Sequence, residues 1–231
     1  MKNTTPYRFR IVNISQPMDK ILYSSLSKKF VLALAGLFLL AFLPVHLYVN
    51  LLLLKSDPGI FNRSAHFMAT FPVVKAFEVV LMAAFLVHII WGIIVQVNNW
   101  FARPVGYVKV IKSDTSPFSR FMIWTGATVL VFLVLHFFNF YFMKIGIVPG
   151  NPEDFYSVAY RLFKIPAYNI IYIVSFIVLG FHLYHALYSA FQTLGVNSPV
   201  WTPTIKVVSA IYAIVIPAGF AFISVYIWFF R

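Results

Sequence analysis

"FVLALAGLFLLAFLPVHLYVNLLLL", residues 30–54, runs without a single charged side chain. At about 1.5 Å of rise per helical residue it is long enough to cross a hydrocarbon core of about 30 Å. Four further apolar runs of similar length follow, at about 71–97, 121–142, 167–191 and 205–230. The rest of the composition agrees. The chain is 61% hydrophobic and 10% charged, with a mean hydropathy of +0.85, whereas soluble domains carry about 25% charged residues. The expected fold is therefore all-α: an integral membrane bundle of five transmembrane helices, forming one domain over residues 1–231 with lipid as part of its solvent.

The flanks of the runs support this reading. Pro72, Pro166 and Pro203 stand near three helix starts, where a missing N–H costs little. Pro44 and Pro217 fall inside spans, so the carbonyls they free must be satisfied within the bundle. The first run begins thirty residues in, is too long and lacks a small-residue cleavage site, so it is not expected to be a signal peptide. "IVPGNPEDFYSVAYRLFK", residues 147–164, is expected to hold a short interfacial helix between spans three and four.

There is no cysteine. Disulfides, thiolate zinc sites, iron–sulfur ligation and cysteine nucleophiles are thereby excluded. The net charge of +12 gathers at the ends of apolar runs, the pattern of membrane topology, so no nucleic-acid partner is expected. Lys2, Arg8, Arg10, Lys20, Lys28 and Lys29 in the N-terminal tail lie on the same side as Arg103, Lys109, Lys112 and Arg120 in the second connection. That side outweighs the other in basic residues, which places the N-terminus in the cytoplasm.

Six histidines carry the chemical signal. His66 lies in the external loop "FNRSAHFMAT" and is expected to be solvated. The other five, His46, His88, His136, His182 and His185, fall inside spans one to four, and ionisable residues at membrane depth are functional candidates. A single one is as often a hydrogen-bonded packing residue. Their depths give the set more weight. Measured from the cytoplasmic end, His46 and His136 lie about 25 and 23 Å up spans one and three, whereas His88 and His182 lie roughly 15–17 Å from the same face. His185 is one turn from His182, too close for depth to separate them.

Two levels of two histidines match two stacked haems, each with an axial imidazole on either face. Eleven residues before His46 and His136, and so nearly eclipsed with them, stand Ala35 and Thr125, adjoined by Gly36 and Gly126. Such small residues let a flat macrocycle approach the backbone, as they also permit ordinary helix contact.

"SSLSKKFVLALAGLFLLAFLPVHLYVNLLLL", "FEVVLMAAFLVHIIWGI", "ARPVGY" and "GFHLYHALYSAFQTLG" resemble the di-haem cytochrome b subunit of succinate:quinone oxidoreductase, the membrane anchor of succinate dehydrogenase and fumarate reductase. The resemblance covers nearly the whole chain in order and spacing. It implies two haems b, a flavoprotein and an iron–sulfur subunit docked on the cytoplasmic side of the cell membrane, and quinone, expected to be menaquinone, as electron carrier. It also implies His46, followed by Asn50, His88, followed by Gly92, His136 and His182 as iron ligands. The Phe181-His182 pair selects His182 over His185 by resemblance.

Succinate itself would be oxidised on the flavoprotein, since this chain has only six carboxylates. The alternative is a di-haem subunit of another quinone-linked enzyme, such as a hydrogenase or formate dehydrogenase. A transporter or structural anchor whose histidines bind no metal is a third class.

Glu78 is the only carboxylate well inside a span, about 9 Å from the external end, and is the candidate proton-donating residue of an outer quinone site. Lys75, one turn away, is the alternative ion-pair partner that would make it structural. Ser25 and Lys29 are candidates at an inner quinone pocket. Candidate partners for haem propionates are Arg103, Lys112 and Arg120 on the inner side, and Lys144, Arg161 and Lys164 on the outer.

Overall fold

The structure, a computed structural model, describes residues 25–101 and 121–231. Among them are seven helices and no strand. They are α1 Ser25–Leu51, α2 Pro58–Thr70, α3 Pro72–Phe101, α4 Met122–His136, α5 Phe155–Lys164, α6 Pro166–Thr193 and α7 Trp201–Phe230. α4 continues through a π segment, Phe137–Tyr141, to Lys144. Five stretches are long and apolar enough to cross a membrane: Leu26–Leu54, Pro72–Phe101, Met122–Lys144, Pro166–Thr193 and Trp201–Phe230. The protein is thus an all-α, multi-pass membrane bundle, with spans a few residues longer at most ends than the hydropathy runs. Large apolar side chains such as Val79, Val131 and Ile214 point outward, as lipid-facing residues must.

α2 and α5 are the two helices that do not span. α2 is absent from the hydropathy reading. Its signature is nonetheless local: the Asp57 carboxylate caps it by accepting from Gly59 N, and Pro58 stands at its first turn. α5 forms inside the segment expected to hold a short helix, capped by Asp154, which accepts from Ser157 N.

Two spans end in the same way. Gly146 (φ 78°) and Gly195 (φ 84°) take the left-handed conformation. Each closes its helix with paired backbone bonds, Gly146 N to Met143 O with Ile147 N to Phe142 O, and Gly195 N to Gln192 O with Val196 N to Phe191 O.

Packing decides where the interior lies. α1 packs on α3 and α6, and α6 packs on α1 and α4, so spans one to four form a square whose diagonals are α1 with α4 and α3 with α6. α7 lies against α6 and α1. The sealed apolar core sits on that side, built from Leu40, Leu47, Tyr172, Phe176, Ile216, Phe220 and Ile223. α3 and α4 contain no fully buried residue.

The prolines inside spans are both accommodated. Pro44 cannot bond the Leu40 carbonyl, and Tyr212 Oη from α7 donates to it instead. Pro217 likewise frees the Ala213 carbonyl, which lies against Gly180. A β-carbon on Gly180 would sit 2.9 Å from that oxygen, so only glycine fits without a shift.

Candidate cofactor site

The five intramembrane histidines are not scattered. His46 and His136 meet across one diagonal of the four-helix square, with ring centroids 5.9 Å apart and planes perpendicular at 90°. His88 and His182 meet across the other diagonal, 6.4 Å apart at 79°. His88 of α3 has His182 as its ring partner. His185 Nδ1 is buried with no hydrogen-bond partner among the described residues.

The two levels differ in lining. The outer pair is surrounded by aromatic rings: Phe42 stacks on His46 at 5.0 Å, Phe220 lies 5.6 Å from His46, and Phe132 and Phe140 flank His136. The inner pair is lined by glycine. A β-carbon on Gly36 would fall 3.3 Å from His88 Cε1, and one on Gly126 would fall 3.4 Å from His182 Cε1. The helices bearing the outer histidines therefore turn their small residues toward the inner histidines. That is the placement expected from the eleven-residue offset.

Hydrogen bonding is uneven. Thr125 Oγ1 lies 3.3 Å from His182 Nδ1. His88 Nδ1 and His136 Nδ1 are buried without a partner among the described residues. Asn50 Nδ2 donates to the His46 carbonyl at 2.8 Å, a helix-internal bond rather than a contact to the ring.

These residues suit a haem in their pairing and spacing. The histidines come in twos, as fits a group that brings its own equatorial donors. Two metal–imidazole bonds of about 2 Å, with roughly 1 Å from each nitrogen to its ring centre, put centroids about 6 Å apart, close to both observed separations. The glycine cradles beside the inner pair complete the fit.

Glu78 stands outside these pairs. Its partner is not Lys75, which is exposed on the same helix. Lys144 Nζ from the end of span three instead donates to both carboxylate oxygens at 2.7 Å. Lys144 lies just past the π segment that begins after His136. A π turn adds one residue to the helical turn and so rotates the remainder of the helix about its axis. The same seam holds Phe85 against Phe137, 5.6 Å apart.

Of the outer propionate candidates, Lys144 is thus engaged by Glu78. Arg161 Nε donates to Ser157 O, and Lys164 Nζ donates to Trp228 O over the Tyr160 ring. Arg103, Lys112 and Arg120 lie outside the described residues, as does the Ser25 side chain. Lys29 is exposed. His66 lies in α2, exposed, with Glu153 3.9 Å away.

The outer face is closed by polar ties. Asn62 Nδ2 donates to Asp154 Oδ1 at 3.0 Å while Asn62 Oδ1 accepts from Tyr156 N. Hydrogen bonds from Ser157, then Asn62, hold the Asp154 carboxyl below the ordinary carboxylate range. Arg231 donates to the Leu54 and Lys55 carbonyls and to Tyr156 Oη. None of the family models, curated proteins or solved structures compared with this chain matches it.

Proposed function

We propose that this chain is the membrane-anchor cytochrome b of a succinate:quinone oxidoreductase, carrying electrons through two bis-histidine haems from a docked iron–sulfur subunit to quinone. The observation that carries the haem reading is the diagonal pairing of His46 with His136 and of His88 with His182, at two depths and at matching separations. The assignment of succinate as electron source, of the flavoprotein partner, of menaquinone and of the cell membrane rests on the sequence resemblance.

Bound haem supplies one-electron carriage between the two faces of the membrane. The chain's own part is structural and electrostatic. His46 with His136 would hold one haem and His88 with His182 the other, and each histidine is set on a different helix, so the four together would brace all four walls of the square. Gly36 and Gly126 keep the backbone low beside the inner pair. The phenylalanines around the outer pair keep water from it. At the outer end Glu78, held as a carboxylate by Lys144, is the proposed relay that would take up a proton from water and pass it to reduced quinone.

The test is a reduced-minus-oxidised optical spectrum of purified protein. Two b-type components are expected. His88→Ala should remove one and His46→Ala the other, and succinate should reduce both once the soluble subunits are bound. A colourless protein overturns the haem reading, and reduction by hydrogen or formate in place of succinate overturns the partner.

A further inference from the structure

The two inner histidines occupy similar settings but meet different hydrogen-bonding groups. Each turns its Nδ1–Cε1 edge toward a glycine, His88 toward Gly36 and His182 toward Gly126. Each glycine comes directly after the residue eleven positions before an outer histidine. On α1 that residue is Ala35, which has no polar atom to offer, and His88 Nδ1 is left without a hydrogen bond among the described residues. On α4 it is Thr125, whose Oγ1 lies 3.3 Å from His182 Nδ1.

Thr125 has one hydroxyl proton and two acceptors within reach. The shorter contact, 3.0 Å, runs to the Met122 carbonyl one turn back on its own helix. A carbonyl cannot donate, so with the hydroxyl proton on the shorter contact Thr125 Oγ1 meets His182 with a lone pair. That arrangement pairs with a hydrogen on His182 Nδ1, the neutral tautomer in which Nε2 is unprotonated and open to a metal.

We propose that Thr125 is a positioning residue for His182: through the chain Met122 O, Thr125 Oγ1, His182 Nδ1 it holds the ligating tautomer and makes His182 a stronger electron donor than an untied imidazole would be. An imidazole whose N–H is hydrogen-bonded is more basic and holds the oxidised metal better. The two inner histidines are therefore held differently, His182 by a side-chain hydroxyl and His88 by the backbone of Leu32. The outer level has no such tie at His136, whose Nδ1 is also buried without a partner among the described residues. Thr125 thus depresses the reduction potential of one haem selectively. This inference rests on the two-haem reading.

The test is a redox titration of membranes holding the full complex, followed optically and by the electron paramagnetic resonance g-values of each haem. The inner component is assigned as the one lost in His182→Ala. Thr125→Val keeps the shape and removes the acceptor. Its inner component should move to higher potential by about a tenfold change in reduction equilibrium, about 59 mV for one electron, with altered g-values and an unmoved outer component.

Thr125→Ser keeps the oxygen and should restore the wild-type potential. Loss of the inner haem in the valine variant with retention in the serine variant supports the same bond. An unmoved potential in Thr125→Val, an equal shift in both haems, or loss of the inner haem in both variants overturns it. A wild-type protein without two b-type components fails the two-haem reading itself, and is seen before any variant is made.

Discussion

Lys144 Nζ sits 2.7 Å from both carboxylate oxygens of Glu78, tying the end of span three to the outer half of span two. Both side chains are 23% exposed, so the pair is shielded but within reach of the outer membrane interface. Such a pair serves as a clasp between helices, and to deliver a proton at the proposed quinone site Glu78 would first have to take one up and leave Lys144. As a proton donor, Glu78 predicts that Glu78→Gln assembles both haems yet reduces quinone about a hundredfold more slowly. Reduction of artificial acceptors by the soluble subunits should be preserved. Normal quinone turnover in that variant would leave the pair only its clasping role.

The glycine cradles carry a second prediction. Gly36→Val and Gly126→Val would each drive a branched side chain into an inner histidine ring already 3.3–3.4 Å from a bare β-carbon. Overpacking of this kind costs about 1–3 kcal/mol and displaces whatever can move. The rings of His88 and His182 are what can move. Each variant should therefore lose the inner haem component in the reduced-minus-oxidised spectrum and keep the outer one. Equal loss of both components would show that the glycines serve general helix packing.

Why are the histidine levels legible in the sequence while other features of the site are not? Helical rise is fixed, so counting residues along each span sorts His46 and His136 from His88 and His182 without any knowledge of packing. The same rise places Gly36 and Gly126 below the outer histidines. Lateral relationships are different. Lys75 is the only basic neighbour of Glu78 visible one turn away, but the actual partner, Lys144, depends on how spans two and three are rotated and on a π turn after His136 that no residue pattern announces.

Depth alone does not separate His182 from His185 either. Which of them meets His88 depends on which way α6 faces, and it is His182 whose ring touches His88. The helix Pro58–Thr70 is a different kind of miss. Asp57 before Pro58 is a helix-start signal, set in a stretch too polar to register as a span.

Tyr212 and Pro44 are coupled through a single carbonyl. Pro44 leaves Leu40 O without its helical donor, and Tyr212 Oη replaces it from α7. Tyr212→Phe should destabilise the bundle by about 0.6 kcal/mol, the average for an interhelical hydrogen bond inside a folded membrane protein. Pro44→Ala restores a backbone N–H to that carbonyl, so Tyr212→Phe should cost less in the Pro44→Ala background. Thermal unfolding in detergent of the two single variants and the double variant measures the coupling. Additive losses would mean that Tyr212 stabilises by packing alone.

Asp154 joins helix capping to the closure of the outer face. Its carboxylate accepts from Ser157 N as the cap of α5 and from Asn62 Nδ2 of α2. Because these bonds favour the charged form, the folded carboxyl titrates below its unfolded value. The sign is set by linkage. The stabilisation is complete above the unfolded pKa of about 4 and is lost as pH falls through the lower folded value.

Asp154→Ala should cost about 1 kcal/mol as a lost cap and raise amide hydrogen exchange in Phe155–Lys164 about fivefold at neutral pH. Asp154→Asn keeps an acceptor oxygen but cannot ionise, so it should lose less at neutral pH and show no further acid-induced opening of this helix between about pH 5 and 3. If the alanine variant exchanges at the wild-type rate, α5 is held by its apolar contacts through Ala159 and Phe163, and the polar ties to α2 contribute nothing to the closure of the outer face.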